Sequence, residues 1–290
     1  MEILQSLING ILLGGIYAVV GIGLSMMFGI VRLVNLAHGD LMILSAYLVL
    51  ALMNAMGVSP YLALVAVIPI MFVIGYLIQL LILNRVIGKG MEPPLIVAFG
   101  LSIILQNVLL LIFSPDARSL KTGLATKSFP IGETINVPVI YLVGFLVGAC
   151  VILLLQLLFQ YTSIGRAIRA ASDDEPAAQL MGINTKRIYA FAMGIAMVTA
   201  AVAGTLIGTT FTFYPHTGPQ YLIIAFGVVI IGGAGSMLGT FVGGIILGLA
   251  QLFGAYFFGT GYQLLSGYLI LLVVLTLRPQ GIFGRKERSA

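Results

Sequence analysis

Between Ser163 and Arg187 the chain reads SIGRAIRAASDDEPAAQLMGINTKR. The runs on either side, about 137–159 and 188–210, are apolar enough to dissolve in lipid. That contrast decides the fold class, because a polar stretch with helix-forming content between two membrane-length apolar runs reads as a structured loop joining two spans.

The loop has its own folding logic. Asp173, Asp174 and Glu175 precede Pro176. Acids suit a helix N-terminus, and Pro suits the first helical turn, where its missing N–H costs nothing. Ala177 to Met181 propagate well, and Gly182 stands where a left-handed cap belongs. The spacing predicts a helix of roughly two turns, with Ala177, Leu180 and Met181 on one face. Upstream, Ser163 is placed to cap a second short helix carrying Arg166 and Arg169 on one side. Helices this short do not persist alone, so they rest against something. A polar, structured loop is where a soluble protein takes hold of a lipid-embedded one. The alternative is a solvated connector whose bases only set topology.

Composition agrees with the fold class. Of 290 residues, 60% are hydrophobic and 8% charged, with a mean hydropathy of +1.14; a soluble domain carries about 25% charged residues. The expectation is an all-α, polytopic integral membrane protein forming a single domain over 1–290, since no polar stretch is long enough to fold separately. The opening MEILQSL has an acid where a signal peptide has bases, and the apolar run continues too long, so it reads as a retained span. The lone Cys150 lies in an apolar run and excludes an intrachain disulfide. The net charge of +5 sits between apolar runs and points to no nucleic acid.

Candidate spans are about 3–30, 38–56, 60–84, 95–113, 137–159, 188–210, 220–232, 236–258 and 262–277. The run 220–232 is short enough to be a half-helix or part of a broken span, so the count is eight or nine. With the N-terminus outside and nine crossings, Arg32, Arg85, Lys89, Arg166, Arg169, Lys186, Arg187 and the tail bases Arg278, Arg285, Lys286 and Arg288 fall inside. Arg118, Lys121 and Lys127 fall outside. Eleven of the fourteen bases inside is the bias that orientation rules demand. It places 163–187 and the basic tail 278–290 in the cytoplasm and 114–136 outside.

Small-xxx-small pairs, among them Gly10/Gly14, Gly144/Gly148, Gly204/Gly208, Gly239/Gly243 and Gly244/Gly248, predict close helix packing. Two places interrupt membrane-length sequence: Asn35-Leu36-Ala37-His38-Gly39-Asp40 and Gly232-Gly233-Ala234-Gly235-Ser236. Each follows a Phe-Gly pair, at Phe28-Gly29 and Phe226-Gly227. Paired interruptions in two halves of a transporter point to a central site, and unwound backbone at membrane depth survives where it lines a cavity or is buried in protein. The competing reading places His38 and Asp40 at an ordinary helix start.

Several chemistries are missing from the sequence. It has no phosphate-binding G-x-x-x-x-G-K-[ST], no Cys/His metal cluster, no H-E-x-x-H and no G-x-S-x-G. His38 and His216 lie on separate segments. No run of intramembrane acids marks an ion relay. A transporter so equipped draws its energy from a partner.

Four stretches carry a resemblance: NGILLGGIYAVVGIGLSMMFGIVRLVNLAHGD (Asn9–Asp40), with VNLAHGD its most specific part; GRAIRA…AAQLMGIN (Gly165–Asn184); GGAGSMLGTFVGG (Gly232–Gly244); and LRPQGIFG (Leu277–Gly284). Together they resemble the permease subunits of branched-chain amino-acid ABC importers, of the LivH type. One departure stands out. The general importer coupling signature begins Glu-Ala-Ala with Gly four positions after the second Ala; Ala177, Ala178 and Gly182 fit, but Pro176 holds the Glu position and Glu175 lies one residue earlier.

The resemblance implies a non-enzymatic transport subunit of a bacterial cytoplasmic (inner) membrane. Its partners would be a second related permease, two cytoplasmic ATPases that bind ATP and Mg, and an extracytoplasmic solute-binding protein. The chain itself would hold no cofactor. The solute would be leucine, isoleucine, valine or a similar neutral amino acid. Urea and short-chain amide importers have similar permeases, and a stand-alone channel or secondary carrier is the rival from another class. On this reading Gly165, Arg166, Arg169, Asp173, Glu175, Ala177, Ala178, Leu180, Met181 and Gly182 meet the ATPase. Asn35, His38, Gly39, Asp40, Gly232, Gly233, Gly235 and Ser236 line the translocation pathway.

Overall fold

The computed structural model describes residues 2–31, 33–90, 92–131 and 135–284. Arg32 and the tail bases Arg285, Lys286 and Arg288 lie outside the described residues. In chain order the helices are α1 (Glu2–Val31), α2 (His38–Met56), α3 (Pro60–Leu81), α4 (Glu92–Phe113), α5 (Val139–Tyr161), α6 (Ser163–Asp173), α7 (Glu175–Leu180), α8 (Thr185–Thr210), α9 (Gly218–Gly232), α10 (Met237–Phe258) and α11 (Gln263–Leu277). A hairpin of β1 (Ser128–Ile131) and β2 (Ile135–Pro138) precedes α5, pairing antiparallel with Phe129 opposite Val137. Eight helices are long and apolar enough to cross a membrane, and α9 is a shorter apolar helix.

The bundle is built around α1 and α8, which are the most deeply buried spans. α10, α5 and α9 pack on α1, α3 and α2 pack on α8, and α4 and α11 lie outermost. Glycine makes the closest crossing possible. A Cβ at Gly14 would collide with the backbone of Gly244 and Ile245, and one at Gly244 would collide with the Gly14 carbonyl. Gly10 and Gly248 repeat the relationship one turn along. The predicted pairs on α1 and α10 thus interlock with each other, letting the backbones touch where any side chain would hold them apart. Gly144 and Gly148 seat α5 on Ile16, Gly15 and Val19 in the same way.

Polar side chains inside the bundle find partners across helices. The Tyr17 hydroxyl donates to Gln251 Oε1 at 2.7 Å, and Thr240 Oγ1 donates to Ser25 Oγ at 2.8 Å. Each such bond between spans is worth about 0.6–2 kcal/mol.

α1 also orders the two ends of the molecule. Near its start, Gln5 exchanges hydrogen bonds with the backbone of Asn136 in β2. Near its end, the Gly29 carbonyl accepts a hydrogen bond from Ser172 of α6. Twenty-four residues of helix separate the two, about 36 Å at 1.5 Å per residue. The hairpin loop and the α6–α7 loop therefore cap opposite ends of the bundle. The Asn84 side chain donates to the Lys186 carbonyl, which puts Arg85 and Lys89 at the α6–α7 end with Arg166, Arg169 and Arg187. Arg118, Lys121 and Lys127 lie at the hairpin end. Most of the described bases therefore gather at the α6–α7 end.

Candidate functional site

The loop between α5 and α8 folds as an elbow of two helices. Thr162, rather than the expected Ser163, caps α6: its Oγ1 accepts the Gly165 N–H at 3.0 Å. Because Thr162 also donates to the Leu158 carbonyl at the end of α5, the same hydroxyl closes one helix and opens the next. Asp174 caps α7 by accepting from the Ala177 N–H at 3.0 Å. At the other end Gly182 has φ +83°. Its N–H donates to the Gln179 carbonyl and that of Ile183 to the Ala178 carbonyl, the paired bonds of a Schellman cap. Glu175 Oε1 accepts from Gln179 and Thr185, tying α7 to the first turn of α8.

These caps decide which residues face out. Leu180 and Met181 are 89% and 83% exposed, and Ala177 beside them is exposed too. Arg166 and Asp173 are also exposed. Arg169 donates to the Phe159 carbonyl, bracing α6 on α5. Two of the expected contact residues turn inward. Ala178 is 4% exposed. Gly165 is buried against Leu158 and Phe159, where a Cβ would collide with both carbonyls. They seat the elbow on its own bundle and leave the outward face to Ala177, Leu180 and Met181.

The first interruption is a re-entrant turn. After α1 the chain folds back into the bundle, and α2 begins at His38 beside Gly23 of α1. Asn35 shapes the turn: its Oδ1 accepts the Ala37 N–H at 3.0 Å while its carbonyl accepts from the His38 N–H, an Asx arrangement. His38 and Asp40 are each 1% exposed.

The second interruption stands elsewhere. Gly39 and Asp40 touch Gly218 at the start of α9, whereas Gly232 touches Gly239 beyond its end. Fourteen residues of α9 hold the Gly39–Asp40 contact and Gly232 about 21 Å apart along that helix. Gly232–Ser236 makes the tight α9–α10 turn at the α6–α7 end of the bundle. Gly235 abuts Gly29. Ser236 caps α10 by accepting the Gly239 N–H. Ile282 and Phe283 of the tail donate to the carbonyls of Ile231 and Gly232, filling the acceptors that a helix C-terminus leaves open.

The loop 211–217 leads the chain down to Asp40. Phe213 is fully buried, edge-on to Tyr47 at 5.0 Å, and the chain reaches Asp40 at Gly218. Two further residues join there from α4. Ser102 donates to Asp40 Oδ2, and Gln106 donates to Ser102 Oγ at 3.1 Å. Ser102 and Gln106 stand four residues apart, on one face of a mostly apolar helix, and that spacing is the signal that could have found them.

The comparisons with known proteins agree with this architecture. Residues 6–275 match the family described as branched-chain amino acid transport system / permease component. The chain is 34% identical to the high-affinity branched-chain amino acid transport system permease protein BraD of Pseudomonas aeruginosa, covering 98% of this chain and 96% of that one. It is 34% identical to the permease protein LivH of Escherichia coli K12, with the same coverage. Among solved structures it is similar in fold to PsaBC from Streptococcus pneumoniae in complex with Fab, at TM-score 0.50 and 14% identity over 98% of this chain and 94% of that one. The chain is a multi-pass membrane protein that belongs to the permease-component family of branched-chain amino acid transport systems.

Proposed function

We propose that this chain is the membrane-spanning permease subunit of an ATP-driven importer for branched-chain or similar neutral amino acids in a bacterial cytoplasmic membrane. It works beside a second permease. Two cytoplasmic ATPases bind and hydrolyse ATP with Mg, and an extracytoplasmic binding protein delivers the solute. The observation that carries the reading is the α6–α7 elbow. Two large apolar side chains, Leu180 and Met181, stand almost fully exposed on a rigidly capped cytoplasmic helix. Exposed side chains of that size, held in place by a cap at each end of α7, form a surface for a protein partner.

The elbow is also wired to the bundle. Ser172 holds Gly29 at the end of α1, Gly29 abuts Gly235, and the α9–α10 turn holds the tail. A push on α7 by closing ATPases thus reaches the central helix directly, as rigid-body switching requires. Asn35, His38, Gly39 and Asp40 mark the pathway side of the chain on this reading. The test is co-purification and uptake. Leu180→Asp with Met181→Asp is expected to leave the permease in the membrane, release the ATPase and stop leucine uptake. Retention of both ATPase and uptake would overturn the assignment.

A further inference from the structure

Among the described residues Asp40, in the first turn of α2, is the acid that is buried inside the bundle. It sits beside Ser102, the eleventh of the 22 residues of α4 and so near the bilayer midplane. Asp40 Oδ2 accepts from Ser102, and Oδ1 has no partner among the described residues although it is buried against Gly218. Among the described residues no Lys or Arg pairs with it; the ion pair there is Arg118 with Asp116, in the hairpin-end loop. The start of α9 lies directly at Asp40, and Asp40 is itself in the first turn of α2. Two helix N-termini that begin within the bundle therefore present their positive ends to one carboxyl group. A carboxyl group at this depth, with one oxygen unsatisfied, has no cationic partner among the described residues.

A polar track leads from this group towards the surface. From Asp40 it runs through Ser102 to Gln106, whose Oε1 lies 3.3 Å from His216 Nδ1. His216 and the nearby Gln220 are exposed. Exposed polar side chains on this flank face water or protein rather than acyl chains. The helix that covers Asp40 is also lightly held. α4 packs mainly on α2 and the short turn 83–85, with the Ser102 bond as its polar tether.

We infer that Asp40 is the acceptor for the ammonium group of the transported amino acid, and that Ser102 on α4 is the latch that covers it between transport events. The inference rests on the reading of the chain as an amino-acid permease and adds the atom that recognises the charged head of the solute. A primary ammonium offers three donors, one for the free Oδ1 and others for acceptors along the track such as Gln106 Oε1. Displacing Ser102 from Oδ2 and moving α4 off α2 would open the carboxylate to the Gln106–His216 side.

The complete transporter is tested in membranes with radiolabelled leucine. Asp40→Asn keeps the shape, the Ser102 bond and a side chain welcome at a helix N-terminus, and removes only the charge. Uptake is expected to fall at least tenfold with normal membrane abundance, and Asp40→Glu to recover part of it. A second measurement covers the case in which Asp40→Asn fails to accumulate. In a Cys150→Ala background, Ser102→Cys should react slowly with an impermeant thiol reagent at rest and at least fivefold faster during leucine transport. The inference is overturned by full uptake in Asp40→Asn, or, if that variant does not accumulate, by a labelling rate unchanged by transport. Failure of the unmutated transporter to take up any amino acid would instead overturn the functional reading beneath it.

Discussion

Ser172 of the α6–α7 elbow donates a hydrogen bond of 2.7 Å to the Gly29 carbonyl, 143 residues earlier, in the last turn of the central helix α1. The bond has a structural consequence. It occupies an acceptor that the helix end would otherwise leave open, and it joins the elbow to one of the two most deeply buried helices.

The orientation is testable without any partner. In a Cys150→Ala background, a cysteine at exposed Ser119 should react with an impermeant thiol reagent in intact spheroplasts. One at exposed Lys186 should react only after the membrane is opened. The reverse pattern would invert the topology.

The elbow separates two neighbouring alanines. Ala177 is exposed and Ala178 is 4% exposed. Ala177→Asp should leave membrane abundance unchanged and lower ATPase co-purification at least tenfold, equivalent to about 1.4 kcal/mol or more. Ala178→Asp buries an unpaired charge inside the chain, at a cost of several kcal/mol, and should reduce abundance itself. Equal abundance of the two variants by immunoblot would contradict this burial pattern.

The α1–α10 seam depends on missing side chains. Gly244→Leu would force a side chain into the Gly14 backbone, and overpacking of this kind costs about 1–3 kcal/mol or more. Loss of folded protein in detergent thermal-melt assays is the expected outcome. Gly100, with open space around its Cβ position, serves as control: Gly100→Leu should melt like the parent.

Gly233 tests the α9–α10 turn. Its φ is +98°, and a Cβ there would press on the tail at Phe283 and Gly284. Gly233→Val is expected to lower membrane abundance together with uptake, because both backbone strain and the tail contact oppose it. Normal abundance with blocked uptake would return Gly233 to the pathway.

Much of this was legible in the chain. The apolar runs agree with the nine apolar helices to within a few residues at each end, because a span must satisfy every backbone group within itself and carries its signal locally. The caps of α7 were equally local: an acid, Pro176 and Gly182 within a few residues of one another. What remained hidden depended on distance in sequence. That Gly10 and Gly14 lock into Gly244 and Gly248, that Ala178 faces inward while Ala177 does not, and that Asp40 meets Gly218 rather than Gly232–Ser236 are all settled by which helix lies beside which. Small residues, polar breaks and glycine turns mark where close approach is allowed, but they carry no information about the partner. Asp40 was visible as a polar residue in a span. Its neighbours Ser102 and Gln106 became part of the same site only when α4 packed on α2 in the tertiary fold.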